Sequence, residues 1–298
     1  MGIQVQPNCC GGYTVGASHN GDGWYLYTAN PVTGVLTKPI LFQHTWSAYY
    51  QLSMGSVARH PKTKKLYAYN HALTYYSFLT PPGTTSYLYE LTLDGIEHQI
   101  GPLKAPTGTY IYYEDGISND GLCFSLDGNI IYGLSDSGTA RRNASLMLVN
   151  PTTGAATKYA KNLGGDSVPL TDVSPSCFGL AIHPETKALH TIWSEDSPTY
   201  GWGLGTIDQV TGQLTKGPQL DVLQNGYPLD LVFEKQVNGD VWAYYTAYGR
   251  PKFKNASGFM RCKDVNAAIP VFDLEVAAVG MQQFPTGTSY LFGITEGH

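Results

Sequence analysis

Four turn signatures recur along the chain at nearly constant spacing: Asn30-Pro-Val-Thr-Gly34, Leu93-Asp-Gly95, Asn150-Pro-Thr-Thr-Gly154 and Asp208-Gln-Val-Thr-Gly212. Their glycines lie 61, 59 and 58 residues apart. Proline, where present, presets φ and glycine accepts a positive φ, so each signature is a tight turn between two strands. A second signature falls between these: Ala58-Arg-His-Pro61 before Lys65-Leu-Tyr67, Phe124-Ser-Leu-Asp-Gly128 before Ile131-Tyr132, and Ala181-Ile-His-Pro184 before Leu189-His190. Val232-Phe-Glu234 before Val241-Trp242 is a looser copy. A fixed period of this size marks one supersecondary unit used repeatedly, with neighbours stacked to bury their apolar faces.

The two signatures together define a four-stranded unit, A to D. The sequence places A strands near 54–59, 121–126, 177–182 and 229–233, and B strands near 66–70, 130–134, 188–193 and 241–246. C strands fall near 86–92, 145–149, 202–207 and 258–263, and D strands near 96–102, 156–161, 213–218 and 269–274. Period-2 alternation supports them, as in Tyr87, Tyr89 and Leu91 against Leu88, Glu90 and Thr92. No stretch keeps a helical period. Tyr13-Thr-Val-Gly-Ala17, Trp24-Tyr-Leu-Tyr-Thr28 and Val35-Leu-Thr-Lys-Pro-Ile40 read as B, C and D, while Tyr290-Leu-Phe-Gly-Ile-Thr295 reads as a lone A. The expected architecture is all-β: residues 1–298 as a single five-bladed β-propeller, with six blades as the alternative count. One blade is sewn from three N-terminal strands and one C-terminal strand, which removes free sheet edges. The repeats resemble the YVTN/NHL-like propeller class, whose blades carry a His-Pro or Asp-Gly turn after A and an Asn/Asp-x-x-Thr-Gly turn after C. That resemblance implies a fold and no particular activity, because the scaffold hosts many.

Only 14% of residues are charged, well below the usual quarter, so neutral hydrogen bonders cover much of the surface. Such composition is common in extracellular and virion proteins. A net charge of −5 gives no basic footprint for nucleic acid. No apolar run is long enough for a membrane-spanning helix, and Met1-Gly-Ile-Gln-Val-Gln has neither the basic start nor the apolar core of a signal peptide. The expected location is extracellular or the surface of a virion, with the cytoplasm left open. Five cysteines, Cys9, Cys10, Cys123, Cys177 and Cys262, form no CxxC pair, so no zinc site is expected. Cys123 and Cys177 fall on inner strands as small hydrophobes.

Chain direction puts the short A–B and C–D turns on one face and the longer B–C and D–A connections on the other. Long connections tend to carry function. The long-connection face collects His44, Trp46 and Tyr49 from one segment, and Tyr113, Glu114, Asp115 and Asp120 from the next. Asp172, Tyr227 and Asp230 come from the following two. Aromatic rings mixed with carboxylates suit a sugar or a polar protein surface, the rings stacking while the polar groups fix orientation. His60 and His183 recur at one repeat position and read as structural; Asp94 and Asp127 read as turn formers.

These features lead to a non-catalytic recognition or assembly module for glycan or protein, within a larger assembly such as a virion. No cofactor, metal, nucleic-acid or membrane partner is expected. The alternative is a glycan-cleaving propeller enzyme using carboxylates at the tunnel mouth, which needs an acid and a base or nucleophile at fixed separation. A calcium-holding lactonase-like site through Glu114, Asn225 and Asp230 is a further option. No GxSxG sequence or phosphate-binding glycine loop is present.

Overall fold

The computed structural model describes residues 12–18, 24–42, 51–73, 87–102, 117–135, 145–158, 176–194, 202–220, 227–248, 257–265, 267, 270–279, 281 and 289–296. Among these residues, twenty strands form five four-stranded antiparallel sheets. Sheet I orders β20 (Ser289–Glu296), β1 (Gly12–Ser18), β2 (Trp24–Asn30) and β3 (Val35–Phe42). Sheet II runs β4 (Gln51–Arg59), β5 (Leu66–Leu73), β6 (Tyr87–Leu91), β7 (Glu97–Pro102). Sheet III runs β8 (Ile117–Phe124), β9 (Ile131–Ser135), β10 (Ser145–Val149), β11 (Ala156–Lys158). Sheet IV runs β12 (Ser176–Ile182), β13 (Leu189–Ser194), β14 (Trp202–Ile207), β15 (Leu214–Gln219). Sheet V runs β16 (Tyr227–Lys235), β17 (Val241–Tyr248), β18 (Ser257–Cys262), β19 (Phe272–Ala277).

The first strands of the sheets pack on one another in order: β4 on β8, β8 on β12, β12 on β16, β16 on β20, and β20 on β4. Strand β20 is hydrogen-bonded to β1, with Thr14 opposite Ile294 and Ala17 opposite Tyr290. Apolar clusters fill each seam between neighbouring sheets. Leu26, Phe42, Val57 and Leu66 pack between sheets I and II, and Tyr69, Leu88, Leu122 and Phe124 between II and III. Tyr132, Leu146, Cys177 and Leu180 fill the III–IV seam, and Ile192, Leu204, Leu231 and Phe233 the IV–V seam. Tyr27, Tyr244, Phe259 and Leu291 occupy the seam between V and I. Each buried Leu or Phe contributes roughly 1.5–3 kcal/mol of transfer free energy, so the core is a set of wedges rather than one centre.

Two kinds of turn that look different in sequence have one geometry. In Asn30–Gly34, the Gly34 amide donates to the Asn30 carbonyl at 2.8 Å while Asn30 Oδ1 accepts from the amides of Val32 and Thr33. In His60–Lys64, the Lys64 amide donates to the His60 carbonyl at 3.0 Å, and His60 Nδ1 accepts from Lys62 and Thr63. His183 repeats this with Glu185 and Thr186. The ring nitrogen thus stands in for an Asx oxygen, which is the structural role expected of both histidines. The fifth position is left-handed throughout: φ is 74° at Gly34 and 63° at both Lys64 and Lys187. A side chain there costs about 1–2 kcal/mol. Lys64→Gly and Lys187→Gly should each therefore stabilise the fold by about 1 kcal/mol, after the entropy glycine loses on folding, read from the denaturant midpoint.

The turns after the C strands also lock neighbouring sheets. A Cβ on Gly34 would collide with the Ala277 carbonyl, and that close approach lets Leu36 donate to Val279 O and Val279 donate to Gly34 O, both at 2.8 Å. Strand β19 begins at Phe272, three residues later than the sequence suggested, because its connection from β18 spans 263–271 and carries no Thr-Gly turn.

Candidate functional site

Each innermost strand carries a register irregularity. The breaks fall between Met54 and Val57 in β4, Ile117 and Leu122 in β8, Phe178 and Leu180 in β12, and Pro228 and Asp230 in β16. In the β20–β1 pair the break lies between Thr14 and Gly16. The last residue before regular pairing resumes is Ser56 in β4, Gly121 in β8, Gly179 in β12 and Gly293 in β20, while in β16 pairing resumes at Asp230 itself, opposite Thr246. Three glycines and a serine leave room around a single carboxylate.

That carboxylate is fully buried. Asp230 Oδ2 accepts from the Ser56 hydroxyl at 2.9 Å and from the Ile294 amide at 3.1 Å, and Oδ1 accepts from the Leu231 amide at 2.9 Å. The Ser56 oxygen in turn accepts from the Leu122 amide at 3.2 Å. Gly179 faces the same group: a Cβ added there would sit 2.9 Å from Asp230 Oδ1 and 2.8 Å from its Cα. One anion therefore engages β16, β4 and β20 directly, β8 through Ser56, and β12 by contact. Buried charge persists only where donors meet it, and here a hydroxyl and two amides are among its partners. Its field, after burial, helps hold the neighbouring Cys123 thiol well above its ordinary range. Burial likewise pushes the Cys177 thiol up to about 12, which favours the protonated thiol at both positions.

The residues expected on the long-connection face divide three ways. His44, Trp46, Tyr49, Tyr113, Glu114, Asp115 and Asp172 lie outside the described residues. Asp120 and Tyr227 are placed by backbone alone: Tyr227 opens β16, and Asp120 falls in the β8 irregularity, one residue before the axial position held by Gly121. Asp230 is the third case. It stands on an inner strand as expected, with its oxygens turned to donors within the fold. Ser56 and Gly179, which complete its surroundings, were not singled out from the sequence; their shared repeat position is the signal that identifies them. Asp127 behaves as the turn former expected, accepting from Ser125 Oγ at 2.6 Å and the Asn129 amide at 3.0 Å. Among the described residues no group of three or more His, Cys, Asp and Glu could hold a metal ion.

No protein-family model matches the chain, and no curated protein matches it. Solved structures do. An endo-1,4-β-xylanase from Bacteroides thetaiotaomicron is similar at a TM-score of 0.50 and 14% identity, over 96% of this chain and 92% of that one. A family 43 glycoside hydrolase, a β-1,3-galactosidase solved with galactodeoxynojirimycin, is similar at 0.51 and 11% identity, over 86% and 89% of the two chains. The fold is a β-propeller. At such identities the likeness speaks to the propeller alone.

Proposed function

We propose that the chain is a recognition or assembly module that binds glycan or a protein surface through the face of long connections, without cleaving its ligand. The five sheets are read as the five blades of one ring, closed where β20 joins β1. The observation that carries the non-catalytic reading is Asp230. A general acid or base must reach the proton it transfers, and this carboxylate is buried with its oxygens engaged by Ser56, Leu231 and Ile294. Its position therefore favours holding strands together over acting on a ligand. Recognition then falls to the aromatic and acidic residues of the connections, above all Trp46 and Tyr113. Low charge and many neutral hydrogen bonders suit a component of a virion or another extracellular assembly.

The second reading, a glycan-cleaving propeller, draws on Asp120. Irregular strand segments re-aim side chains beside active sites, and this acid lies in one, next to the axis. The two solved neighbours are a xylanase and a galactosidase.

The test is a panel of defined oligosaccharides and polysaccharides assayed for both binding and released reducing ends. We expect binding without release. Trp46→Ala or Tyr113→Ala should weaken binding at least tenfold, as expected of aromatic anchors, with the thermal midpoint nearly unchanged. Release that disappears in Asp120→Asn would overturn the non-catalytic reading in favour of the second. Loss of fold and binding together in the aromatic variants would remove the assignment of that face.

A further inference from the structure

The seam between sheets IV and V contains an imidazole pair. His190 on β13 is 7% exposed and His183, in the turn after β12, 6% exposed. Their ring centroids are 5.9 Å apart, and both rings pack on Phe233 of β16, at 4.9 Å from His190 and 5.0 Å from His183. His190 Nδ1 is buried with no hydrogen-bond partner. Repeat position explains the orphan. His190 sits opposite Ala181, as Tyr67 sits opposite Ala58 and Tyr132 opposite Cys123. Those tyrosines carry their hydroxyls out to Glu90 and Gln209. An imidazole at the same site is too short to reach such a partner.

We propose that this seam is an acid-sensitive joint, in which His183 and His190 pack uncharged against Phe233 and protonation of the pair destabilises the contact between sheets IV and V. The charged groups around it do not counter a proton on His190. His183 Nδ1 is occupied by the Glu185 and Thr186 amides. Glu185 is paired with Lys235 of β16 at 2.8 Å across the same seam, and Lys187 belongs to the same turn as Glu185. Burial, with a smaller contribution from His183, brings the His190 imidazole down from the ordinary histidine range to about 4. Burial lowers His183 as well. The folded pKa is depressed, so the unfolded chain binds more protons between pH 6.5 and 4. The stability this supplies is complete above pH 6.5 and is lost as pH falls toward 4. A separation of this size corresponds to roughly a 300-fold fall in the folding equilibrium constant once pH is well below 4, of which on the order of 100-fold is reached by pH 4.5.

Denaturant unfolding of the full chain at pH 7.5 and pH 4.5 tests the proposal, comparing wild type with His190→Phe. We expect the wild type to lose on the order of 100-fold more in its folding constant across this interval than the variant does. An equal loss in both proteins overturns the proposal. Should the variant fail to fold, ring ¹⁵N shifts of the wild-type histidines decide it. His190 is expected to stay neutral in the folded protein at pH 5, and a His190 already protonated there contradicts the joint.

Discussion

Asp230→Ala should lower stability by about 4 kcal/mol, a shift of roughly 10 °C in the thermal midpoint. The substitution leaves the Ser56 hydroxyl and the amides of Leu231 and Ile294 in a buried centre without their acceptor. Stranding buried donors costs more than the net worth of the bonds themselves. Asp230→Asn keeps the shape and one acceptor oxygen but turns an amide toward N–H and O–H donors, so about half that loss is expected. Ser56→Ala removes one donor to the carboxylate and the acceptor of the Leu122 amide, and should cost about 1–2 kcal/mol. The order Ala, then Asn at position 230, then Ser56→Ala, read by chemical denaturation, separates an axial pin from an ordinary buried residue. In all three, ligand binding measured on the folded fraction should survive. On the proposed reading, the carboxylate belongs to the frame of the ring and the ligand to the connections.

Gly179→Ala should cost about 3 kcal/mol, although it adds a single methyl group. Residue 179 has φ of 61°, where a side chain is disfavoured by about 1–2 kcal/mol. The new Cβ would meet Asp230 Cα at 2.8 Å and Leu231 Cδ2 at 2.9 Å, and overpacking of this kind costs about 1–3 kcal/mol. One of the collisions is with Asp230 Oδ1 itself. The double variant Gly179→Ala/Asp230→Ala should therefore be more stable than the sum of the two losses predicts, by about 1 kcal/mol. Strict additivity would mean that the two residues do not share one space.

Strand positions were readable because turn chemistry and period-2 alternation act locally. Strands β10 and β14 fall at the bounds expected from Asn150-Pro and Asp208-Gln, and β20 is hydrogen-bonded to β1. Where local chemistry was weaker, in the 263–271 connection with no Thr-Gly turn, the D strand was misplaced by three residues. The likeness between His-Pro and Asn-Pro turns was hidden because an imidazole nitrogen rarely stands in for an Asx oxygen. The axial site was less legible still. Ser56 and Asp230 are 174 residues apart in the chain, and nothing within either segment announces the contact. A lone carboxylate reads as exposed even between Leu229 and Leu231; the packing of the inner strands on one another turns Asp230 inward. His190 was hidden for a similar reason, since its lack of a partner follows from a repeat position that elsewhere holds tyrosine.

On the proposed reading, the five sheets form one ring held shut at its axis, with β20 anchored on Asp230 through the Ile294 amide. Native-state hydrogen exchange at the Ile294 amide tests it most directly. That amide donates to Asp230 in the middle of β20, so a closed ring requires it to exchange only on global unfolding, with the same protection as Leu204 in the core of sheet IV. Protection several kcal/mol weaker than that of Leu204, with β20 opening while the other sheets stay intact, would contradict the closed ring.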